Sequence, residues 1–425
     1  MCIDTLPVCC FQYAALTATP PLLAASIMLA RQYPLPYSEH LQGHRIMCVF
    51  SLRPALPDDL DALTALEQRC FSSDRLTRRS FRQWLKRQHA GLIVAQNEHQ
   101  QLVGYVLVLL QPGTRLARLY SIAVDPQQRG KKLGEQLLGA AEGYAHQQHR
   151  LFLRLEVRKD NTVAIALYER LGYRLFAQTV DYYEDHEDAL RYQKRLHYLA
   201  DLPDLSGQAH AASTQTGRLQ LPWVQQTTPF TCGPACLLMA LAALKKQAPT
   251  VTEELLLWRE ATTIYMTAGH GGCHPLGLAL AARQRGLSAR VWCNQAGPLF
   301  LDSVRDRDKK SVITTLHDHF VSECSRHRVP VCYDDFSATD LDNAISVGSI
   351  VLVLISTWRL DRRKAPHWVA ISGSDEECFY IHDPDPGEDQ VPMDCQHVPI
   401  TRYKFEQMRQ YGQAKLRTAV VLNRL

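Results

Sequence analysis

One stretch, Tyr120 to Tyr173, restricts the fold of this chain more than any other: strand, glycine-bearing turn, helix, strand, asparagine, helix. LARLYSIAV (Leu116–Val124) reads as a strand that ends in Asp125-Pro126. QRGKKLG, Gln128 to Gly134, follows, and then the amphipathic run LGEQLLGAAEGYA. Gly130 and Gly134 let backbone N–H groups approach an anion closely, and the positive end of the helix that starts there attracts one. RLFLRLEVR (Arg150–Arg158) predicts the next strand, and Asn161 precedes the helical run VAIALYERLGY (Val163–Tyr173). A glycine turn before a helix is commonplace alone, whereas the ordered series is specific.

On these pieces the segment from about Ser51 to Leu196 resembles the GNAT-fold acetyltransferases. IAVDP before the loop, LEVR around Glu156, IALYERLGY around Tyr168 and the acidic DYYEDHEDA carry the likeness. Within that superfamily the segment is most similar to the enzymes that acetylate the N-terminal alanine of a ribosomal protein. The resemblance implies an α/β fold, a mixed and mostly antiparallel sheet flanked by helices, with acetyl-coenzyme A as cosubstrate. It also implies a cofactor contact set: Ile122 and Val124 on the strand, Arg129, Gly130, Lys132 and Gly134 in the loop, and Asn161 after the next strand. The family loop reads R/Q-x-x-G-x-G/A, and Lys132 stands here in place of a glycine. Backbone donors survive that change, and a lysine beside a pyrophosphate adds favourable charge.

Amine acetylation requires that the nucleophile lose a proton and that the departing thiolate gain one or a hydrogen bond. The resemblance gives the first role to Glu156, acting through water, and the second to Tyr168. Taken singly, they would read as a surface strand carboxylate and a buried helix aromatic. The series around them favours function.

A second constellation begins at LPWVQQTTPFTCGPACLLMALAAL. Cys232 sits where a polar loop meets an apolar helical run, a helix N-terminus that favours a thiolate, the more so with a histidine nearby. Gln226, six residues earlier, can join the Cys232 N–H as donors to an oxyanion. Gly233-Pro234 suits the first turn. Far downstream, His367 opens the strand HWVAIS and Asp383 ends the strand CFYIHDPD. If those strands pair antiparallel, Asp383 lies beside the imidazole and orients it. Each residue alone has a plain reading as packing or a turn. The order Gln, Cys, His, Asp is that of papain-like peptidases, and the pattern resembles the bacteriocin-leader, double-glycine cysteine peptidases. It implies an α+β papain-like fold over the second half, freestanding, since the chain has no long apolar span and no nucleotide loop ending in Gly-Lys-Ser or Gly-Lys-Thr. Cys236, one turn on, is expected to pack inward. AGHGGCHPLG (Ala268–Gly277) reads as a loop into a helix that either lines a substrate groove or simply turns.

Length and composition fit two or three domains of a soluble protein: 425 residues, 46% hydrophobic, 21% charged. The net charge of +4 gives no reason to expect nucleic-acid or membrane partners. Thirteen cysteines form no CxxC pair and 17 histidines show no ligand spacing, so no metal is expected and a reducing cytoplasm fits best. The apolar run Ala14–Ala30 is broken by Pro20-Pro21 and lacks a basic flank, which argues against a signal or anchor. The expected organisation is a loosely ordered extension (1–47, with Met47 a candidate start), an acetyltransferase domain (48–198), a Pro/Gly-broken linker (199–218) and a papain-like domain (219–425). The functional expectation is a peptide-modifying enzyme that acetylates a peptide or protein α-amine and cleaves peptides with a thiol. Two alternatives stand: a second domain that only holds peptides, or a small-molecule amine acetyltransferase.

Overall fold

A computed structural model describes residues 50–425 except 112–113, 197–218, 263–264, 267–268, 271, 302–303, 305, 358–364 and 388–390. The expected N-terminal extension and the linker lie outside the described residues. Two seven-stranded sheets organise the rest.

The first sheet uses β1 (Ser51–Pro54), β2 (Ala90–Gln96), β3 (Leu102–Leu110), β4 (Leu116–Val124), β5 (Phe152–Arg158), β6 (Arg174–Thr179) and β7 (Ala189–Arg195) in the order β1-β2-β3-β4-β5-β7-β6. Every pairing is antiparallel except β4 with β5. Four helices attend it: α1 (Leu60–Cys70), α2 (Arg78–Trp84), α3 (Leu133–Gln147) and α4 (Thr162–Arg170). Side chains alternate between faces along a strand. Ala117, Leu119, Leu153 and Leu155 pack with Leu133, Leu137 and Ala141 of α3. Arg118, Arg154 and Arg191 therefore face the opposite side, where α1 and α2 bury Leu63, Leu66 and Phe81 against β2 and β3.

The parallel pairing of β4 and β5 covers only Leu116–Leu119 against Phe152–Leu155, although both strands run on. A bulge helps to explain the parting. Leu107 faces Ser121 and Val108 faces Leu119, which leaves Tyr120 unmatched and bends β4. The strands splay beyond that point and open a notch in the sheet.

The second half contains helices α5 (Cys232–Lys245), α6 (Val251–Ala261), α7 (Pro275–Gln284), α8 (Arg307–Arg326) and α9 (Ala338–Ser346), with a small hairpin of β8 (Tyr265–Met266) and β9 (Gly269–His270). Its sheet is formed by β10 (Leu287–Cys293), β11 (Val331–Cys332), β12 (Ile350–Ser356), β13 (Pro366–Ser374), β14 (Cys378–His382), β15 (Val398–Thr401) and β16 (Thr418–Arg424), in the order β11-β10-β16-β12-β13-β14-β15. From Cys232 to Leu241, α5 is buried on all sides, which its apolar sequence permits. It packs with α7 on one face of the sheet, and α9 covers the other. Burial of each Leu-sized side chain contributes about 1.5–3 kcal/mol, so both cores are substantial.

The two halves touch along the arginine face of the first sheet. Arg154 donates to the Gln396 and His397 carbonyls, Arg191 donates to the Met393 carbonyl and Gln396 Oε1, and Arg195 pairs with Asp375 and Glu377. Leu116, Leu151 and Phe152 form a small apolar cluster with Cys378 and Tyr380 beside them.

Candidate active sites

The notch between β4 and β5 faces the start of α3. Gly130 has φ +79° and Lys132 φ +60°, so the loop makes two left-handed steps before the helix begins. Lys132 is the N-cap and no side chain caps the helix, which leaves first-turn N–H groups for an external acceptor. A Cβ on Gly130 would meet nothing within 4 Å, and one on Gly134 would make only ordinary contacts with Leu167 and Val124. The fold itself therefore does not require glycine at 134, and open space adjoins the loop at Gly130. Ile122 and Val124 lie on β4 past the point of parting. Asn161 has a structural duty, since its side chain caps α4 by accepting from Ala164 N. Tyr168, on α4, is buried, and burial pushes its phenol up to about 12, so it stays protonated and able to donate at neutral pH.

Glu156 sits just past Leu155, the last β5 residue paired with β4, in a group of charges that sequence reasoning did not anticipate. Arg118 Nε donates to its Oε2 at 2.7 Å, and Arg191 Nε lies 3.7 Å from Oε1. The other arms of Arg118 reach Tyr182 Oη and Asp394 Oδ1, each at 3.2 Å. Burial works against the Arg118 charge, yet Glu156, Asp394 and Tyr182 more than offset it and hold the guanidinium protonated. Both oxygens of Glu156 thus already face guanidinium groups. Tyr183, packed edge-on against Tyr182, is pushed up by burial and by the nearby charges of Tyr182 and Glu156. The sequence signal for this group was Arg118 itself, one cation inside an otherwise apolar strand.

In the second half, the expected cysteine, histidine and aspartate come together. Cys232 opens α5, and the Trp368 N–H donates to its sulfur at 3.5 Å. His367 Nε2 donates to Asp383 Oδ1 at 2.7 Å, which leaves Nδ1 for the thiol. Burial disfavours the imidazolium, but Asp383 and Cys232 outweigh it and raise the His367 pKa well above its ordinary value. The β13–β14 register, Ala370 opposite His382, accounts for the meeting of His367 and Asp383 at neighbouring strand ends. Asp383 is fixed in turn: Trp223 Nε1 donates to its carbonyl at 2.7 Å and Asp385 N to its Oδ1 at 3.0 Å. The Gln226 loop is strapped alongside through Gln226 N to the Pro384 carbonyl, with the buried Gln226 Oε1 left unpaired. Cys236 packs inward and donates to the Trp368 carbonyl. Gly233 lets α5 close on Leu278, Cys273 and Trp368, at 3.1–3.2 Å from where its Cβ would be. His274 caps α7 and meets His317 at 3.3 Å, while Cys273 is buried, so this pair is structural. The groove role considered for Ala268–Gly277 falls partly outside the described residues, but Gly277 packs against the Ala261 backbone.

Residues 60–173 match the acetyltransferase (GNAT) family and residues 221–423 the Peptidase C39 like family. A mycothiol acetyltransferase of Salinispora tropica is 36% identical over 97 residues, 22% of this chain and 32% of that protein. An uncharacterized N-acetyltransferase of Methanocaldococcus jannaschii is 31% identical over 133 residues, 31% of this chain and 83% of that protein. A Bacillus subtilis protein described as a ribosomal protein bS18 alanine N-acetyltransferase is 29% identical over 134 residues, covering 31% and 87%. The chain spans only 32% and 37% of the first two mycothiol acetyltransferases it matches. Among the described residues no helix is long and apolar enough to cross a membrane.

Proposed function

Because the chain belongs to the acetyltransferase (GNAT) family through residues 60–173 and carries a Peptidase C39 like region over 221–423, we propose that it is a bifunctional peptide-modifying enzyme. One centre transfers acetyl from acetyl-coenzyme A to a peptide or protein α-amine, and the other cleaves a peptide bond with Cys232. The observation that carries the first is the splayed β4–β5 notch facing an uncapped α3. The second rests on the connected Cys232, His367 and Asp383. The peptide acceptor is supported by the likeness to the Bacillus subtilis protein.

In acetyl transfer the cosubstrate supplies the acetyl group as a thioester. Glu156 takes the proton of the attacking amine through water, and Tyr168 gives its phenolic proton to the departing sulfur and regains one from solvent. The α3 amides and Lys132 hold the pyrophosphate, with Arg129 and Gly130 shaping the loop. In cleavage, Cys232 Sγ attacks the scissile carbonyl while Gln226 and the Cys232 N–H receive the oxyanion. His367 gives its proton to the leaving amine, then draws one from the water that hydrolyses the acyl-enzyme. Asp383 keeps the ring in place throughout. The described cysteines are all free thiols, which suits a reducing compartment such as the cytoplasm.

Intact-mass analysis of unblocked peptides incubated with the protein, with and without acetyl-coenzyme A, tests both halves together. Acetylated products that need the coenzyme, and shortened products that vanish in Cys232→Ala, are expected. Acetylation with no shortened product would leave the second domain as a peptide-holding module.

A further inference from the structure

The face of the first sheet that carries Arg118, Arg154 and Arg191 is shared by two covers. Helices α1 and α2 lie over β2 and β3, and the second domain lies over β5 and β7. Between the covers, over β4, a cavity of about 380 Å³ remains, within the size range of ligand sites. Leu109 and Leu116 with Trp84 line it on the first domain's side, beside Arg87, His89 and Arg118. The other wall is Asp394, from the second domain.

Asp394 is firmly placed. It lies in the 3-10 turn Pro392–Cys395, where its Oδ2 accepts from Val391 N at 3.3 Å. Its carbonyl accepts from Gln111 Nε2 at 2.8 Å and its Oδ1 from Arg118 Nη1 at 3.2 Å. Through Arg118 it is one bond from Glu156 and one from Tyr182, which belongs to the loop between β6 and β7. The turn cannot drift, because Arg191 also holds Met393 and Gln396.

We propose that the second domain completes the acetyl-acceptor cleft of the first, and that Asp394 is the positioning residue through which it does so. The occupant is the N-terminal segment of an unblocked peptide. Its amine lies toward Glu156, and the side chain that follows rests on Leu109 and Leu116 against Trp84. That apolar lining is more than an isolated ammonium group uses, and it fits a residue attached to one. The inference rests on the acetyl-transfer reading above.

The test uses the full chain and a pool of unblocked, lysine-free pentapeptides, with the N-acetylated pool as control. The peptide that is acetylated fastest then serves for kinetics with Asp394→Ala and, from the opposite wall, Trp84→Ala. In both variants the acceptor KM should rise about tenfold, while acetyl-coenzyme A affinity by calorimetry stays within about twofold. Unchanged acceptor KM in both variants, alongside an active parent protein, overturns the two-domain cleft and spares the acetyl-transfer reading. A parallel loss of coenzyme affinity also overturns it, since the turn would then support the fold in general. If the parent acetylates no pool peptide, the reading and the inference fall together.

Discussion

Lys132 occupies a backbone conformation that L-residues enter at a cost of about 1–2 kcal/mol. Lys132→Gly should relieve it and raise stability by up to about 1 kcal/mol, read from the urea midpoint. A loss instead would mean that the lysine side chain itself holds the loop. Tyr168→Phe keeps the buried ring and removes the donor, so acetyl transfer should fall by about ten- to ten-thousand-fold with coenzyme affinity unchanged. Turnover within about twofold of the parent would assign the proton to another group. In the thiol site, His367 retains its proton by virtue of Asp383 and Cys232, despite burial. Iodoacetamide at mildly acidic pH should therefore modify Cys232 ahead of the other cysteines. His367→Ala should slow labelling, and Gln226→Ala should spare labelling while cleavage falls. Equal labelling of all cysteines would rule out a paired thiol.

At the scale of elements, the cap that Asn161 gives α4 and its proposed coenzyme contact separate experimentally. As the cap of α4, Asn161→Asp should keep most of the stability that Asn161→Ala loses, about 1 kcal/mol. As a coenzyme contact, both should weaken acetyl-coenzyme A. Gly277→Ala puts a methyl 2.8 Å from the Ala261 backbone, which cannot swing aside as a side chain can. It should cost about 1–3 kcal/mol as α7 is pushed from α6, visible as a lower melting temperature. Much of this scale was legible beforehand. Leu116–Val124 is a strand with the bounds its apolar run predicts. His367 and Asp383 were within reach of sequence reasoning because two consecutive strands usually pair. The Arg118–Asp394 contact was not, because 276 positions separate the partners and no local periodicity encodes docking of one sheet on another. Glu156 was found by its motif, but its guanidinium neighbours were not, since they come from other strands of the sheet.

For the molecule as a whole, acid should act through buried histidines. Burial, with help from His317, pushes His274 down to about 3, and burial with Arg191 and Arg154 does the same to His382. Unfolded histidine binds its proton near 6.5, so between about 3 and 6.5 the unfolded chain holds more protons and stability rises with pH. At pH 5 each group should cost roughly 2 kcal/mol relative to neutrality. His367 runs the other way: its contribution is present below about 6.5 and is lost as pH climbs through its raised folded value. The melting temperature should thus fall between pH 7 and pH 5, and less steeply in His382→Phe. An identical slope in that variant would move the acid sensitivity elsewhere. A last consequence follows from the bond between Asp383 N and the Cys395 carbonyl, at 2.9 Å. The residue that steadies the histidine of one centre is tied to the turn that presents Asp394 to the other. With both proposed centres at work, a substitution that shifts this turn would be felt in each of them, so the two specificities would be coupled through the backbone.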